Sequence, residues 1–435
     1  MMKKLLYAVG LLTLVLQADA AFAFCGFYVS KADTKLYNRA SQVVLVRDGD
    51  RTVITMGNDF QGDVKDFAMV IPVPTLLEED QINIADQSLI DHLDAYTAPR
   101  LVEYHDENPC MQRKMLRMEM AQSSVADSMP AIQEDSGVTI EASYTVGEYD
   151  ILILAAEQSD GLISWLKTND YRLPEGAEKV VGSYLKQDMR FFVAKVNLEK
   201  QESLGFSALR PLQIAFESRR FMLPIRLGTL NAEGKQELFV YTLTRTGRVE
   251  TSNYRTVRLP TDIDIPVGVK DHFGEFYKDL FSHQVDKNDG RAVFLEYAWD
   301  MAWCDPCAAD PLSARQLNQL GVYWLNGDSL KTGRVPDVFV TRLHVRYDAE
   351  HFPDDLRFIE TGDRTNFQGR YVMRHAWEGQ ARCAEADVYK KQVKIREAEA
   401  VTRLASLTGW DDEKISALIG SEVQVRDRWW KRIGE

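Results

Sequence analysis

Short apolar runs of strand length fill the first part of the chain and predict a β-rich start. Gln42–Val46 and Arg51–Met56 are rich in β-branched residues, and Gly49 between them supplies the positive φ of a tight turn. Phe67–Val73 predicts a third strand. Because proline cannot donate to a sheet ladder, Pro72 predicts that this strand ends at a sheet edge.

Further along, strand-like runs alternate with runs of helical spacing. The helical spacing predicts helices near residues 89–96, 162–166, 180–185, 273–281 and 311–320, the last with Asp310 as N-cap and Pro311 at its first position. Apolar runs predict strands at 138–145, 150–155, 190–196, 212–216, 222–227, 238–244, 248–257, 292–299 and 338–347. Consecutive strands beside packed helices indicate an α+β fold with mainly antiparallel sheets.

Breaks in composition divide the chain into associated blocks. We predict a signal peptide at 1–23, a β-rich block at 24–105, a linker or mobile loop at 106–137, α+β blocks at 138–258 and 259–378, and a helical tail at 379–435. The linker is rich in Met, Gln, Ser and acidic residues without a period, and Pro260 and Pro266 mark the start of the third block. The fold therefore comprises two or three blocks closed by a helical tail.

The first residues have the pattern of a secretory signal. Lys3 and Lys4 precede the apolar run Leu5–Leu16, and small residues Ala21 and Ala23 stand where a signal peptidase reads. Cleavage between Ala23 and Phe24 is therefore predicted. The mature protein would then be periplasmic or secreted.

Two alternatives to a cleaved signal are weaker. The apolar run has about 12 residues, whereas a retained membrane anchor needs about 20. A lipid-attached Cys25 would need a small preceding residue, and Phe24 is bulky. No later segment is long and apolar enough for a spanning helix, so we predict no membrane span after cleavage.

Net charge narrows the class of partner. The whole chain carries −13, and the signal carries +1 from Lys3, Lys4 and Asp19, which leaves −14 for the mature chain. Nucleic-acid binding needs a clustered basic surface, so nucleic acid is disfavoured, as are anionic lipid headgroups. The sequence leaves an unknown envelope partner or ligand, and predicts no cofactor and no resident metal.

Five cysteines remain after cleavage, namely Cys25, Cys110, Cys304, Cys307 and Cys383. An oxidising compartment favours disulfides, and an odd number leaves at least one thiol over. Because Cys25 and Cys110 flank the first block, we predict that they pair and close it. Cys304 and Cys307 are predicted to form a second, mainly structural bridge.

Several runs resemble an exported bacterial family catalogued as domain of unknown function 2330. They are Cys25-Gly-Phe-Tyr-Val, Ser41-Gln-Val-Val-Leu-Val-Arg, Phe67-Ala-Met-Val-Ile-Pro-Val-Pro, Ala98-Pro-Arg-Leu-Val-Glu-Tyr, Trp165-Leu-Lys-Thr-Asn-Asp-Tyr-Arg-Leu-Pro-Glu-Gly and Phe192-Val-Ala-Lys-Val. The resemblance covers most of residues 24–378. It implies an exported β-rich fold and carries no activity, because these motifs are strands and turns.

The run Trp303-Cys304-Asp305-Pro306-Cys307 is the strongest chemical signal. A thiol at a helix N-terminus has a stabilised thiolate, so one interpretation is a thioredoxin-like redox pair. Asp305 opposes a thiolate by its like charge, which favours a structural bridge. A zinc site is a third interpretation, and its other two ligands would come from Cys383, His344, His351 or His375.

Two weaker constellations remain. Alternation along the strand 338–347 puts Arg342, His344 and Arg346 on one face, and with His351, Arg374 and His375 nearby this is either a surface that binds an anion or carboxylate, or the solvated face of an antiparallel sheet. We favour the solvated face. The basic, Trp-containing tail 426–432 either docks a partner or covers a core.

Familiar enzyme signatures, such as a nucleophile elbow, a zinc-protease motif or a phosphate-binding loop, are missing from the sequence. The sequence therefore favours a non-enzymatic binding or structural role in the envelope. The alternative is a thiol–disulfide oxidoreductase centred on Cys304 and Cys307.

Overall fold

Two packed β-sheets form the centre of the protein in its computed structural model. The structure describes residues 27–30, 37–38, 41–57, 60–61, 67–111, 143–154, 159–168, 171, 173–197, 200, 209–230, 234–302, 310–325, 327–335, 337–380 and 382–419. The predicted signal and its cleavage site, Cys25, most of the predicted linker, the Cys304–Cys307 motif and the tail 426–432 lie outside these residues.

Strands run through the length of the described chain. They are β1 (Phe27–Ser30), β2 (Tyr37–Asn38), β3 (Ser41–Asp48), β4 (Arg51–Gly57), β5 (Phe60–Gln61), β6 (Phe67–Val73), β7 (Ile82–Ile84), β8 (Arg100–His105), β9 (Ser143–Val146), β10 (Tyr149–Leu154), β11 (Arg190–Val196), β12 (Leu212–Glu217), β13 (Met222–Leu223), β14 (Gln236–Thr244), β15 (Val249–Thr251), β16 (Arg255–Arg258), β17 (Ile263–Asp264), β18 (Ala292–Asp300), β19 (Phe339–Tyr347), β20 (Leu356–Glu360), β21 (Phe367–Gln368) and β22 (Arg370–His375).

Eight strands follow one another across the large sheet, in the order β16-β18-β19-β14-β3-β4-β12-β7, and β21 pairs with β18 beside this path. The pairs β14–β3 and β16–β18 are parallel, and the other pairs along this path are antiparallel. The predicted hairpin between β3 and β4 is confirmed, with Gly49 at φ 58° in its turn. Strands of all three predicted blocks share this sheet, while the block boundaries stay a prediction.

The second sheet has five strands in the order β1-β6-β11-β10-β9. The prediction that the end of β6 lies at a sheet edge is wrong in one respect, because β6 lies between β1 and β11. Pro72 is nevertheless tolerated. It lies opposite Phe191 of β11, whereas the pairing with β1 stops at Val70, so no ladder on that side needs an N–H from Pro72.

The two sheets pack face to face through apolar side chains. Val43 and Leu45 of the large sheet share one buried cluster with Ile71, Ile151 and other residues of the five-stranded sheet. Alternation along each strand accounts for this, because every second side chain points to the same face. The outer face of each sheet is therefore left for helices to cover.

Helices cover both outer faces. They are α1 (Gln87–Thr97), α2 (Ser159–Thr168), α3 (Ala177–Leu185), α4 (Phe273–Lys287), α5 (Ala314–Gln319), α6 (Gly327–Thr332), α7 (Ala384–Thr408) and α8 (Asp412–Ile419). The pair α2 and α3 packs on the five-stranded sheet, and α1, α4 and α5 pack on the large sheet. The predicted α+β class with a helical C-terminal region is thus confirmed. None of the helices that the structure describes is both long and apolar enough to cross a membrane.

Several predicted boundaries shift. The strand predicted at 222–227 is limited to β13, and the one at 248–257 is split into β15 and β16. The helix predicted from Pro311 begins at Ala314, because Ser313 accepts from the Gln316 backbone N–H and forms a capping box with it. Asp310 is therefore not the N-cap.

A parallel three-stranded sheet, β17-β22-β8, joins the C-terminal region to the rest of the protein. A disulfide links Cys110 to Cys383, so the predicted pairing of Cys25 with Cys110 is wrong. The topology gives the reason. Because β8 and β22 run parallel and end side by side, the residues that follow them, Cys110 and the α7 N-cap Cys383, come together.

Candidate functional site

Strand β19 carries three basic side chains on one face, and this face is not solvated. Arg342 and His344 are each only 4% exposed. The prediction of a solvated sheet face is therefore wrong. The physical reason is the covering layer, since α1 and α4 lie over this part of the large sheet and bury the charges.

A β-bulge on β18 brings a carboxylate under these cations. Leu295 pairs with Leu343 and Tyr297 pairs with Arg342, so Glu296 is an extra residue on its strand. The bulge directs Glu296 to the same face as Arg342, where it is fully buried. Sequence reasoning missed this residue. The available signal was a single charge within the apolar run Ala292–Trp299.

His344 lies between two carboxylates and two aromatic rings. Its Nδ1 is 2.6 Å from Glu296 Oε1, and its Nε2 is 2.5 Å from Glu237 Oε2. The rings of Phe281 and Phe239 stack on its two sides, with centroids 3.6 and 4.2 Å away. Ionised carboxylates only accept hydrogen bonds, so both ring nitrogens must donate. The geometry thus favours the doubly protonated, cationic form of His344.

Arg342 connects the same carboxylate to helix α1. Its Nε donates to Glu296 Oε2 at 2.5 Å, and its Nη1 donates to Asp94 Oδ1 at 2.7 Å. The Tyr241 hydroxyl donates to the same Asp94 oxygen at 2.5 Å. The guanidinium lies 4.7 Å from the centroid of the Phe239 ring, which adds a cation–π contact. Arg342 therefore fastens α1 to the sheet.

The network continues to helix α4 at its other end. Arg346 Nε donates to Glu237 Oε1 at 2.6 Å, and its Nη1 donates to the Ser282 hydroxyl at 3.0 Å. The Tyr277 hydroxyl of α4 donates to Glu296. Glu237 and Arg346 retain 19% and 20% side-chain exposure, so this end lies near the surface. The network thus joins two helices and three adjacent strands.

Charges balance within the network and shift the pKa values of its members. Burial alone would raise the pKa of Glu296, but His344 and Arg342 outweigh it and lower that pKa to about 2. Burial alone would lower the pKa of His344, but Glu296 and Glu237 raise it above its usual value. Three carboxylates, including that of Asp94, face two guanidiniums and one imidazolium, so the network is neutral when His344 is protonated.

This arrangement is suited to fastening rather than to reacting. The two nitrogens of His344 that could accept or deliver a proton are both held by carboxylates inside the core. Removing one partner of such a buried pair is strongly destabilising, whereas the intact network specifies how the helices sit on the sheet. The described part of the chain contains no group of three or more His, Cys, Asp or Glu placed to hold a metal ion.

Other predicted site residues lie apart from the network. His351 Nδ1 contacts Asp348, Arg374 Nε donates to Asp264 Oδ1, and His375 Nε2 contacts Glu103. Of the zinc ligands considered, Cys383 is bonded to Cys110 and His344 is held by the two glutamates. The partner thiols Cys304 and Cys307 lie outside the described residues.

Comparison with known proteins identifies one family. A family model described as "Uncharacterized protein conserved in bacteria (DUF2330)" matches residues 19–359. No curated protein and no solved structure matches the chain. The match ends before β21, so β22, α7 and α8, together with the cysteine of the disulfide in that part of the chain, follow the matched segment.

Proposed function

We propose, from the premise that the chain belongs to the DUF2330 family of bacterial proteins, that it is an exported protein of the cell envelope. It acts there by binding or by structural support rather than by catalysis. The apolar run behind Lys3 and Lys4 supports export, since this is the pattern of a signal peptide.

The disulfide is the observation that carries the proposal. Cys110 and Cys383 are 273 residues apart in sequence, and their bond fixes the start of α7 to the end of β8. Such bonds persist in oxidising compartments and are rare where glutathione keeps thiols reduced. A fold that contains this bond is therefore suited to the periplasm or the exterior of the cell.

The buried ionic network supports a role without catalysis. It contains the His and Glu side chains that would be the natural candidates for acid–base chemistry, yet each of them is held by a partner within the fold. A general base needs a nitrogen or oxygen within reach of a substrate proton. His344 offers neither of its nitrogens, so the network maintains a scaffold.

Fractionation of cells that express the full chain tests the proposal. We expect the mature chain in the periplasm or medium, beginning at Phe24, with the Cys110 and Cys383 peptides linked in a non-reducing digest. The matched control is the double variant Leu12→Arg and Leu14→Arg, which interrupts the apolar run and should keep the chain in the cytoplasm. A wild-type chain that retains Met1 in the cytoplasm would overturn the export proposal.

The oxidoreductase alternative requires an accessible thiolate of low pKa at Cys304 or Cys307. If the Cys307→Ser variant forms mixed disulfides through Cys304 with added thiol substrates, the proposal of a non-enzymatic role is wrong. We expect no such adduct. The double variant Cys304→Ser and Cys307→Ser is the control for adducts formed at other cysteines.

A further inference from the structure

A cavity of about 150 Å³ lies where the C-terminal helix α7 packs beside β17 and β22. Its lining comes from two parts of the chain: the segment Asp264–Gly268, within the family match, and Arg374 with one side of α7, beyond it. Apolar side chains form most of the wall, including Ile265, Val267 and Val401. The cavity therefore exists only once the C-terminal region has packed onto the family fold.

Arg374 supplies the cation at this cavity. Its Nε donates to Asp264 Oδ1 at 3.0 Å, and its guanidinium carbon lies 5.2 Å from the centroid of the Tyr104 ring. These contacts hold the guanidinium plane in place. Within the described residues, its two terminal nitrogens make no hydrogen bond or ion pair. A fixed guanidinium with two uncommitted N–H₂ groups is the usual partner of a carboxylate.

The neighbouring charges leave this role to Arg374. Arg396 donates to both oxygens of Asp106, at 3.2 and 2.7 Å, so its fork is occupied. Arg403 lies beside Asp264 as well, with its Nε donating to the Asp264 carbonyl oxygen at 3.3 Å. Two guanidiniums thus share the single carboxylate of Asp264. Glu397 adds an exposed negative charge to the lining.

We propose that this cavity binds a small organic monocarboxylate with a short apolar chain. The carboxylate accepts from the terminal nitrogens of Arg374, and the apolar chain lies against Ile265, Val267 and Val401. A dianion such as phosphate is disfavoured, because Asp264 and Glu397 are close and the wall offers few other donors. The inference gives a ligand class to the binding role proposed above and rests on that role.

Titration calorimetry on the purified, oxidised full chain tests the inference, with sodium hexanoate as the probe. Hexanamide has the same apolar chain without the charge, and inorganic phosphate has charge without the chain. We expect hexanoate to bind at least tenfold more tightly than either. Because this comparison uses the wild-type protein, it does not depend on whether a variant folds. It is also independent of where the chain resides in the cell, so its failure would leave the export proposal standing.

Arg370 provides a matched control for Arg374. Both residues lie on the same face of β22, and each pairs with an aspartate in or beside β17, Asp262 and Asp264 respectively. Their side chains are 39% and 40% exposed, but only Arg374 lines the cavity. Arg374→Gln should weaken hexanoate binding at least tenfold, and Arg370→Gln should change it less than twofold.

Glu397→Gln tests the charge argument from the opposite direction. Removal of this exposed carboxylate from the lining should tighten hexanoate binding several-fold. The inference is overturned if the wild-type chain binds no hexanoate at millimolar concentration, or if hexanamide or phosphate binds equally well. It is also overturned if the Arg374 and Arg370 variants respond alike, or if Glu397→Gln fails to tighten binding.

Discussion

The substitution Glu296→Gln is the sharpest test of the buried network. Glutamine has nearly the same shape as glutamate but removes the charge that faces His344 Nδ1 and Arg342 Nε, at 2.6 and 2.5 Å. Two guanidiniums and one imidazolium would then face two carboxylates in surroundings that are almost fully buried. Loss of one partner of a buried charge pair costs about 3–5 kcal/mol. That is a large fraction of the roughly 5–15 kcal/mol by which folded proteins are stable.

Urea unfolding at pH 7, followed by tryptophan fluorescence and far-ultraviolet circular dichroism, measures this loss. The matched control is Glu178→Gln, which removes a glutamate from the surface pair with Lys167, whose side chains are 68% and 60% exposed. Such surface pairs contribute about 1 kcal/mol or less. We also expect the double variant Glu296→Gln and His344→Gln to lose less than the two single variants together, since the residues are in contact. A loss below about 1 kcal/mol for Glu296→Gln would refute the reasoning.

Three further predictions follow from the network and the cysteines. Because the pKa of His344 is raised on folding, its contribution is complete below its unfolded value and is lost as pH rises through the folded value; Glu296, lowered to about 2, contributes above its unfolded value of 4.5 and loses this as pH falls towards 2. Melting temperatures from pH 2 to 10 should therefore fall at both ends, and His344→Gln should flatten the alkaline fall, whereas an unchanged alkaline limb would contradict the assignment. Cys383→Ser removes a bond that closes a 273-residue separation and should reduce the free energy of unfolding by roughly 5 kcal/mol in non-reducing buffer, with Cys25→Ser as the control; equal effects of the two variants would argue against the Cys110–Cys383 pairing. A Cys304–Cys307 bridge that is structural should have a potential below roughly −300 mV in dithiothreitol buffers, and ready equilibration near roughly −270 mV would favour the redox interpretation instead.

Local sequence signals predicted most of the elements. The hairpin from β3 to β4, the strands β6 and β11 and the helix α1 are specified by patterns within a few residues: β-branched runs, a turn glycine and apolar side chains at helical spacing. The run of strands beside helices was sufficient to predict an α+β fold. The family resemblance carried by several of these runs was also legible in the sequence, because such runs are contiguous.

The environment of the charges was decided only by the tertiary structure. Arg342 and His344 alternate with apolar residues, which is the pattern of a half-solvated strand, and no local signal reveals that α1 and α4 bury this face. Glu296 reaches them through a bulge, a register change between two strands that are more than 40 residues apart.

The disulfide depends on topology in the same way. Spacing along the chain suggested that Cys25 and Cys110 close the first block, but pairing follows proximity in space. The parallel alignment of β8 with β22 brings Cys110 to Cys383 instead. The cavity at Arg374 has the same origin, since Asp264 and Val401 become neighbours only when the C-terminal helix packs against that sheet. Local patterns determine which elements form, whereas contacts distant in sequence determine which charges and thiols meet.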